Sequence, residues 1–257
     1  MERLLGTCVR YLILSDIHAN QTAFEAVMEA ADGRWEKCIC LGDIVGYGPD
    51  PNESTDKVRA LEPVVVVRGN HDKACSGVTD AADFNPVARF AATWTHEQLT
   101  PTNLSYLKEL PIGPARVEDF QIVHGSVLDE DQYVFRAGEA RMSLERAEVW
   151  LTFFGHTHFQ GGFVLRANGK VELVRLSLPA GPASAKLLLA KNIKYMINPG
   201  SIGQPRDGDP RAAFAYYDDE KHVLEYWRVP YDIAATQERM QQAGLPKPLG
   251  DRLALGR

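Results

Sequence analysis

Five apolar runs in this chain end on the same kind of polar cluster, and that repetition restricts the fold more than any other feature. Tyr11 to Leu14 stops at Ser15-Asp16, Cys38 to Leu41 stops at Gly42-Asp43, and Val64 to Val67 leads to Gly69-Asn70-His71-Asp72. Phe120 to Val123 meets His124-Gly125-Ser126, and Trp150 to Phe154 meets Gly155-His156, with His158 two residues on. Each run is short, continuous and largely apolar, as a strand covered on both faces should be. Gln21 to Ala31 has helical spacing, with Phe24, Val27 and Met28 on one face and Asn20 placed as N-cap, and Asn52 to Leu61 reads as a second helix. Strands alternating with helices predict a parallel sheet, and such sheets bind ligands at the carboxyl ends of their strands. Of the seven histidines, all but His96 and His222 stand at such an end. Solvated histidines placed at random would not collect there.

The stretch FFGHTHF, 153 to 159, sharpens the question. On an extended backbone residues i and i+2 project to one side. His156 and His158 are therefore expected to face one point beyond the strand, whereas the heptapeptide taken alone also reads as a polar turn with solvated rings.

The middle of the chain, Pro86 to Leu110, reads as helical with a break at Thr100-Pro101. After residue 160 the texture changes to hairpin strands: segments 161–166, 170–176, 193–197, 212–218 and 222–229, with a turn pair at Asn168-Gly169. Asp232 to Ala243 reads as a closing helix, and 177–191 as a loop insertion. The switch from strand–helix alternation to hairpins predicts an α/β fold, a four-layer α-β-β-α sandwich with two mixed β-sheets, in a single domain spanning 1–257.

A composition of 45% hydrophobic and 24% charged residues is that of an ordinary globular protein, and the net charge of -6 argues against a binder of long nucleic acid or anionic membrane. Charges at Glu2, Arg3 and Arg10 interrupt any signal-peptide core, and no apolar run approaches membrane-spanning length. Cys8, Cys38, Cys40 and Cys75 form no C-x-x-C pair and read as free thiols, which fits a cytoplasmic protein.

Aspartates, an asparagine and neutral imidazoles at strand ends make a mixed oxygen and nitrogen ligand set. Such a set suits Mn, Fe, Zn, Co or Ni better than Ca or Mg. There are too many candidates for one ion, so two ions sharing a carboxylate are expected.

DIHAN (16–20), GDIVGYGP (42–49), GNHD (69–72), HGS (124–126) and GHTH (155–158), in that order and spacing, resemble the signature blocks of the calcineurin-like metallophosphoesterase superfamily. INPGSIGQPRDGDPRAAFA (197–215) is similar to the closing block of its small bacterial and archaeal YfcE-like phosphodiesterase branch. The resemblance implies that Asp16, His18 and His158 bind one divalent ion, that Asn70, His124 and His156 bind a second, and that Asp43 bridges them. His156 and His158 would then serve different ions. Manganese leads the expected metals. A water shared by the ions would attack phosphorus as hydroxide. His71, a catalytic residue positioned by Asp72, would protonate the leaving alkoxide or stabilise its charge; a purely structural Asp72 is the alternative. Two divalent ions outweigh Asp16, Asp43 and a hydroxide, so the expected partner is a small anionic phosphate ester.

The chain departs from some members of the superfamily. Ser/Thr protein phosphatases and symmetrical dinucleoside-tetraphosphate hydrolases carry Asp-Arg after the second block's Asp, where this chain has Gly46-Tyr47, and Asp72 stands where their third block usually has Glu. The absence of that arginine weakens phosphomonoester and protein-phosphatase readings. Arg206 and Arg211, in the loop GQPRDGDPR, are candidate substrate-binding clamps set against a solvated turn. The expected activity is hydrolysis of a small phosphodiester. An asymmetrically cutting dinucleoside polyphosphate hydrolase is the alternative within enzymes, and a non-catalytic metal- or nucleotide-binding regulatory subunit is the alternative outside them. A homodimer is the expected assembly, since cyclic dimers are the commonest.

Overall fold

Alternation along the first strand sets the layering. The computed structural model describes residues 9–257, so Cys8, Glu2 and Arg3 lie outside the described residues. In β1 (Arg10–Leu14), Tyr11 and Ile13 enter one core with Phe120, Phe153 and Tyr217, whereas Leu12 and Leu14 enter another with Phe24 and Val27. Residues of period two on a strand must point to opposite faces, so a strand apolar at every position needs cover on both.

The order is β1, α1 (Gln21–Ala31), β2 (Lys37–Cys40), α2 (Pro51–Ala60), β3 (Val65–Val66), α3 (Asn70–Ser76), α4 (Pro86–Gln98), α5 (Pro101–Glu109), β4 (Ala115–Val117), β5 (Phe120–Val123), α6 (Ala137–Arg146) and β6 (Leu151–Phe154). There follow β7 (Gly161–Leu165), β8 (Val171–Val174), β9 (Ala183–Leu188), β10 (Lys194–Asn198), β11 (Ala212–Asp218), β12 (Val223–Val229), α7 (Ile233–Gln242), α8 (Lys247–Asp251) and a short 3₁₀ turn over Arg252–Leu255.

Two six-stranded sheets result, ordered β3-β2-β1-β11-β12-β9 and β4-β5-β6-β10-β7-β8. Both are mixed. In the first, β1, β2 and β3 run parallel while β11, β12 and β9 add antiparallel. In the second, β5, β6 and β10 run parallel with antiparallel flanks. Tyr11, Ile39, Phe120, Phe153, Ile197 and Tyr226 fill the space between the sheets. The first sheet's outer face carries the core around Phe24, Val27 and Val58, and the second sheet's outer face packs Phe154, Phe163 and Met196 on Ala140 and Leu144 of α6. The four layers and two mixed sheets are as expected, but the division between sheets does not follow the chain halves. Hairpin strands from after residue 160 complete both sheets.

Some local expectations fail. The 177–191 insertion contains β9, an edge strand on β12. The third block is no plain strand end: after Gly69 it begins helix α3, with Gly69 in extended conformation as its cap. The Thr100-Pro101 break does separate two helices, with Thr100 capping α5 and Pro101 at its first position.

Candidate metal centre

The turns after β1, β2 and β6 carry the converging side chains in an uncommon backbone conformation. Asp16, His18, Asp43, His156 and His158 have φ values of 51°, 50°, 54°, 65° and 61°. A left-handed non-glycine residue costs of order 1 kcal/mol or more and persists only where its surroundings hold it. The holding contacts are hydrogen bonds between the turns. Asp16 N–H donates to Gly42 O at 3.0 Å, His18 N–H to Asp43 O at 2.9 Å, and Gly155 N–H to His124 O at 2.8 Å. Gly69 and Gly155 let backbone press against the carboxylates, since a Cβ on the first would collide with Asp43 Oδ1 and on the second with Ser15 Oγ and Asp16 Oδ2. His156 and His158 therefore reach the centre from a turn and not from the extended strand expected of them.

Two overlapping groups of ligand atoms result: Asp16, His18, Asp43 and His158, and Asp43, His124 and His156, all buried, with atoms in each group within 4.8 Å of one another. His18 Nε2 lies 3.0 Å from His158 Nε2, and His124 Nε2 lies 3.1 Å from His156 Nδ1. Two nitrogens bound to one metal at about 2.1 Å and at right angles are separated by about 3.0 Å. Asp43 belongs to both groups, its Oδ2 lying 3.5 Å from His18 Nε2 and 3.3 Å from His124 Nε2.

The opposite nitrogen of each imidazole is fixed to a backbone carbonyl. His18 Nδ1 bonds Val45 O at 3.2 Å, His124 Nδ1 bonds Leu41 O at 2.8 Å, and His158 Nδ1 bonds Gln204 O at 2.6 Å. His156 is reversed, with Nε2 on Asp131 O at 2.9 Å. Because a carbonyl only accepts, each bond takes an N–H from one ring nitrogen and aims the other nitrogen inward, as in metal-binding histidines generally. Asp43 Oδ2 and Asn70 Oδ1 are buried with no hydrogen-bond partner. Orphaned buried acceptors are costly unless something satisfies them. Inward ring nitrogens and orphaned oxygens fit a divalent cation, and these residues are able to hold one in each group.

The electrostatics give a pH dependence. Burial disfavours a charged His124, but the adjacent Asp43 carboxylate outweighs it and raises His124 to about 10. Burial pushes Asp16 up to about 7 and holds His18, His156 and His158 well below the usual imidazole range. Below pH 10 the metal-free protein therefore keeps a proton on His124 Nε2, which a cation must displace. Metal affinity should rise by about tenfold per pH unit above pH 8, with release of about one proton per chain from His124, and more steeply below pH 7, where Asp16 holds a second. Calorimetry of manganese binding in buffers of different ionisation enthalpy reads that proton; a heat independent of buffer would contradict it.

The remaining sequence candidates separate. Burial holds His71 down to about 4, and its ring packs among His18, Tyr47 and Phe84 with Nδ1 lacking a partner. Asp72 does not position that ring. Its carboxylate accepts from the N–H groups of Asp43 at 2.8 Å, Ile44 at 2.9 Å, Val45 at 3.2 Å and Gly69 at 3.0 Å. Through these bonds it shapes the turn that carries Asp43. Arg206 lies at the centre: its backbone N–H donates to His158 O at 3.3 Å and its guanidinium stands 5.7 Å from the Tyr47 ring centroid. Arg211 does not. It is bound to Asp209 at 2.9 Å and to the carbonyls of Pro179 and Gly181, which makes it a strut of the loop.

Sequence reasoning missed several supports. Asn198, at the end of β10, donates to Gly155 O at 2.9 Å and Thr157 Oγ1 at 3.0 Å, steadying the turn with both histidines. Buried Lys73 ties α3 to Glu130 at 2.9 Å and Asp131 at 2.6 Å, and Asp131 supplies the carbonyl that orients His156. Asn198 sits in the recognisable INPGS block, whereas nothing local marks Lys73.

Residues 9–221 match the calcineurin-like phosphoesterase superfamily domain. The protein MJ0912 of Methanocaldococcus jannaschii is 34% identical over 262 residues, covering 95% of this chain and 97% of its own. A metallophosphoesterase from Sphaerobacter thermophilus, known from its crystal structure, is 41% identical with a TM-score of 0.83, over 98% of this chain and 100% of that one. The hypothetical protein PH1004 from Pyrococcus horikoshii OT3 shares the fold at 20% identity, TM-score 0.78, over 97% and 99% of the two chains.

Proposed function

This chain belongs to the calcineurin-like phosphoesterase superfamily, and from that premise we propose that it is a two-metal hydrolase of small phosphodiesters. The observation that carries the reading is the shared carboxylate: Asp43 Oδ2 is buried, without a hydrogen-bond partner, and common to both ligand groups. Asp16, His18 and His158 are assigned to one ion, Asn70, His124 and His156 to the other, and Asp43 to both, with manganese the preferred metal for a mixed imidazole and oxygen set. Two such cations supply Lewis acidity toward a phosphoryl group and lower the pKa of water.

The chain's own residues do the rest. His71 is neutral near pH 7, because burial holds it at about 4, so it acts by hydrogen-bonding the charge that develops on the leaving oxygen and not by carrying a spare proton. Arg206 is the one sequence-predicted clamp at the site, and Tyr47 beneath it occupies the segment where Ser/Thr protein phosphatases and symmetrical dinucleoside-tetraphosphate hydrolases carry arginine. A single clamp suits the single negative charge of a diester. A cytoplasmic setting fits the free, buried thiols of Cys38, Cys40 and Cys75, and no helix of the described residues is long and apolar enough to cross a membrane.

The test is turnover of methyl p-nitrophenyl phosphate against p-nitrophenyl phosphate by manganese-loaded protein. The diester should be favoured in kcat/KM by about tenfold or more, a transition-state difference of about 1.4 kcal/mol. Equal or reversed preference would make the protein a monoesterase. No turnover of either, with metal bound, would support a regulatory role.

A further inference from the structure

Three aromatic side chains stand half-exposed in a row beside the ligand cluster. Tyr133 stacks on the ring of His156, with centroids 3.7 Å apart and planes 16° from parallel. Phe135 stacks on Tyr133 at 5.3 Å and 13°, and Phe159 meets Phe135 edge to face at 5.6 Å. Tyr133, Phe135 and Phe159 are 42%, 48% and 44% exposed, although phenylalanine is among the residues most often fully buried. Among the described residues none of the three joins a hydrophobic core, so packing does not account for them. Tyr133 and Phe135 ride on the loop between β5 and α6, which also presents the Asp131 carbonyl to His156, and Phe159 directly follows His158.

We propose that Tyr133, Phe135 and Phe159 form a stacking subsite for a planar heteroaromatic group, the nucleobase of a nucleotide diester whose phosphate lies at the ligand cluster. The proposal rests on the phosphodiesterase reading of that cluster. Tyr133 and Phe135 lie parallel and Phe159 stands edge to face on Phe135, so a base would extend the stack at Phe135, and base–aromatic stacking is strong and tolerant of sequence. The row begins on the ring of a ligand histidine, so a group stacked along it is directed toward the metal ligands through its own phosphate. The Arg206 guanidinium, 5.7 Å from the Tyr47 ring centroid, also opposes the upward push of burial on the Tyr133 hydroxyl, so a cation stands beside the aromatic row and the centre, where a phosphate would need it. Size also separates a base from a protein partner. Three half-exposed rings offer roughly 300 Å², well short of the roughly 800 Å² that a stable protein interface buries on each side.

The experiment is calorimetric titration of the manganese-loaded full chain with AMP and with ribose phosphate, which lacks only the base. AMP should bind about 10- to 100-fold more tightly. Phe135→Ala and Phe159→Ala should each weaken AMP by about fivefold, and together should bring it to the level of ribose phosphate, whose own affinity stays within about twofold. Phe135→Leu, apolar but without a π face, should behave like Phe135→Ala; circular dichroism checks that each variant folds. Equal binding of the two ligands by the unsubstituted protein would overturn the subsite, as would full recovery by Phe135→Leu. So would variants that turn a dimer into a monomer in light scattering without changing AMP binding, because the row would then be an interface between copies. An AMP preference that survives when methyl p-nitrophenyl phosphate is not turned over would keep the stacking subsite and remove the diesterase reading.

Discussion

Asp43→Asn is expected to empty both halves of the ligand cluster at once. Asp43 Oδ1 accepts the His71 backbone N–H at 2.8 Å, so the side-chain oxygen of an asparagine would take that position and its amide nitrogen would face His18 and His124. A donor would then point where two cations need an acceptor. Metal content should fall from about two per chain toward zero, and turnover by roughly a thousandfold or more, because charge neutralisation and positioning of the phosphoryl group are lost together. Elemental analysis beside the rate measurement decides the point. Two retained ions with lost activity would show that Asp43 is not the bridge. The thermal unfolding temperature of the metal-free state should also fall. Burial opposes the Asp43 carboxylate, but the attraction to His124 outweighs it and holds the carboxyl well below the usual range, and the substitution leaves His124 buried without that partner.

His71→Ala should do the reverse, keeping the metals and losing rate. The His71 ring packs on His18, Tyr47 and Phe84, and its Nδ1 is fenced by Gly46, where a Cβ would crowd that nitrogen. It lines the same cleft as Asn70, Tyr133 and His156, which puts it beside the reacting group and outside the two ligand groups. Turnover should slow by roughly 10²–10³-fold for esters with alkyl or nucleoside leaving groups. The loss should shrink for a p-nitrophenolate, which departs with little help. A loss equal for every leaving group would mean that His71 orients substrate, and loss of an ion would make it a ligand.

The legible parts of this molecule were those whose reasons are local. β1, β2, β5 and β6 are buried along nearly their whole length, and a continuous apolar run records that directly. β9 escaped notice because it is an edge strand whose residues alternate between part-buried and exposed, with Gly and Pro just before it. α3 was hidden because it is seven residues long and its first turn is occupied by residues chosen for chemistry. The interleaving of the two sheets could not be read at all, since pairings such as Arg10 with Asp218 depend on contacts far apart in the chain. In the site, the residues that converge were all visible as strand-end polar clusters. What remained hidden was direction: that Asp72 turns to backbone amides, that Arg211 turns to Asp209, and that Tyr133 lies flat on His156. Those orientations follow from left-handed turns and loop packing, for which residue type alone carries no signal.

The claim that two ions and one shared carboxylate make the active unit is tested most directly by titrating metal back into stripped protein. The chain is chelated, shown free of metal by elemental analysis, and then given manganese in fractional equivalents while hydrolysis of methyl p-nitrophenyl phosphate is followed. The account predicts no turnover in the stripped protein, a rise that levels at about two ions per chain, and weaker restoration by magnesium than by manganese, cobalt or nickel, because imidazole-rich sites disfavour it. Full activity with metal verified absent, or a plateau reached at one ion per chain, would contradict it.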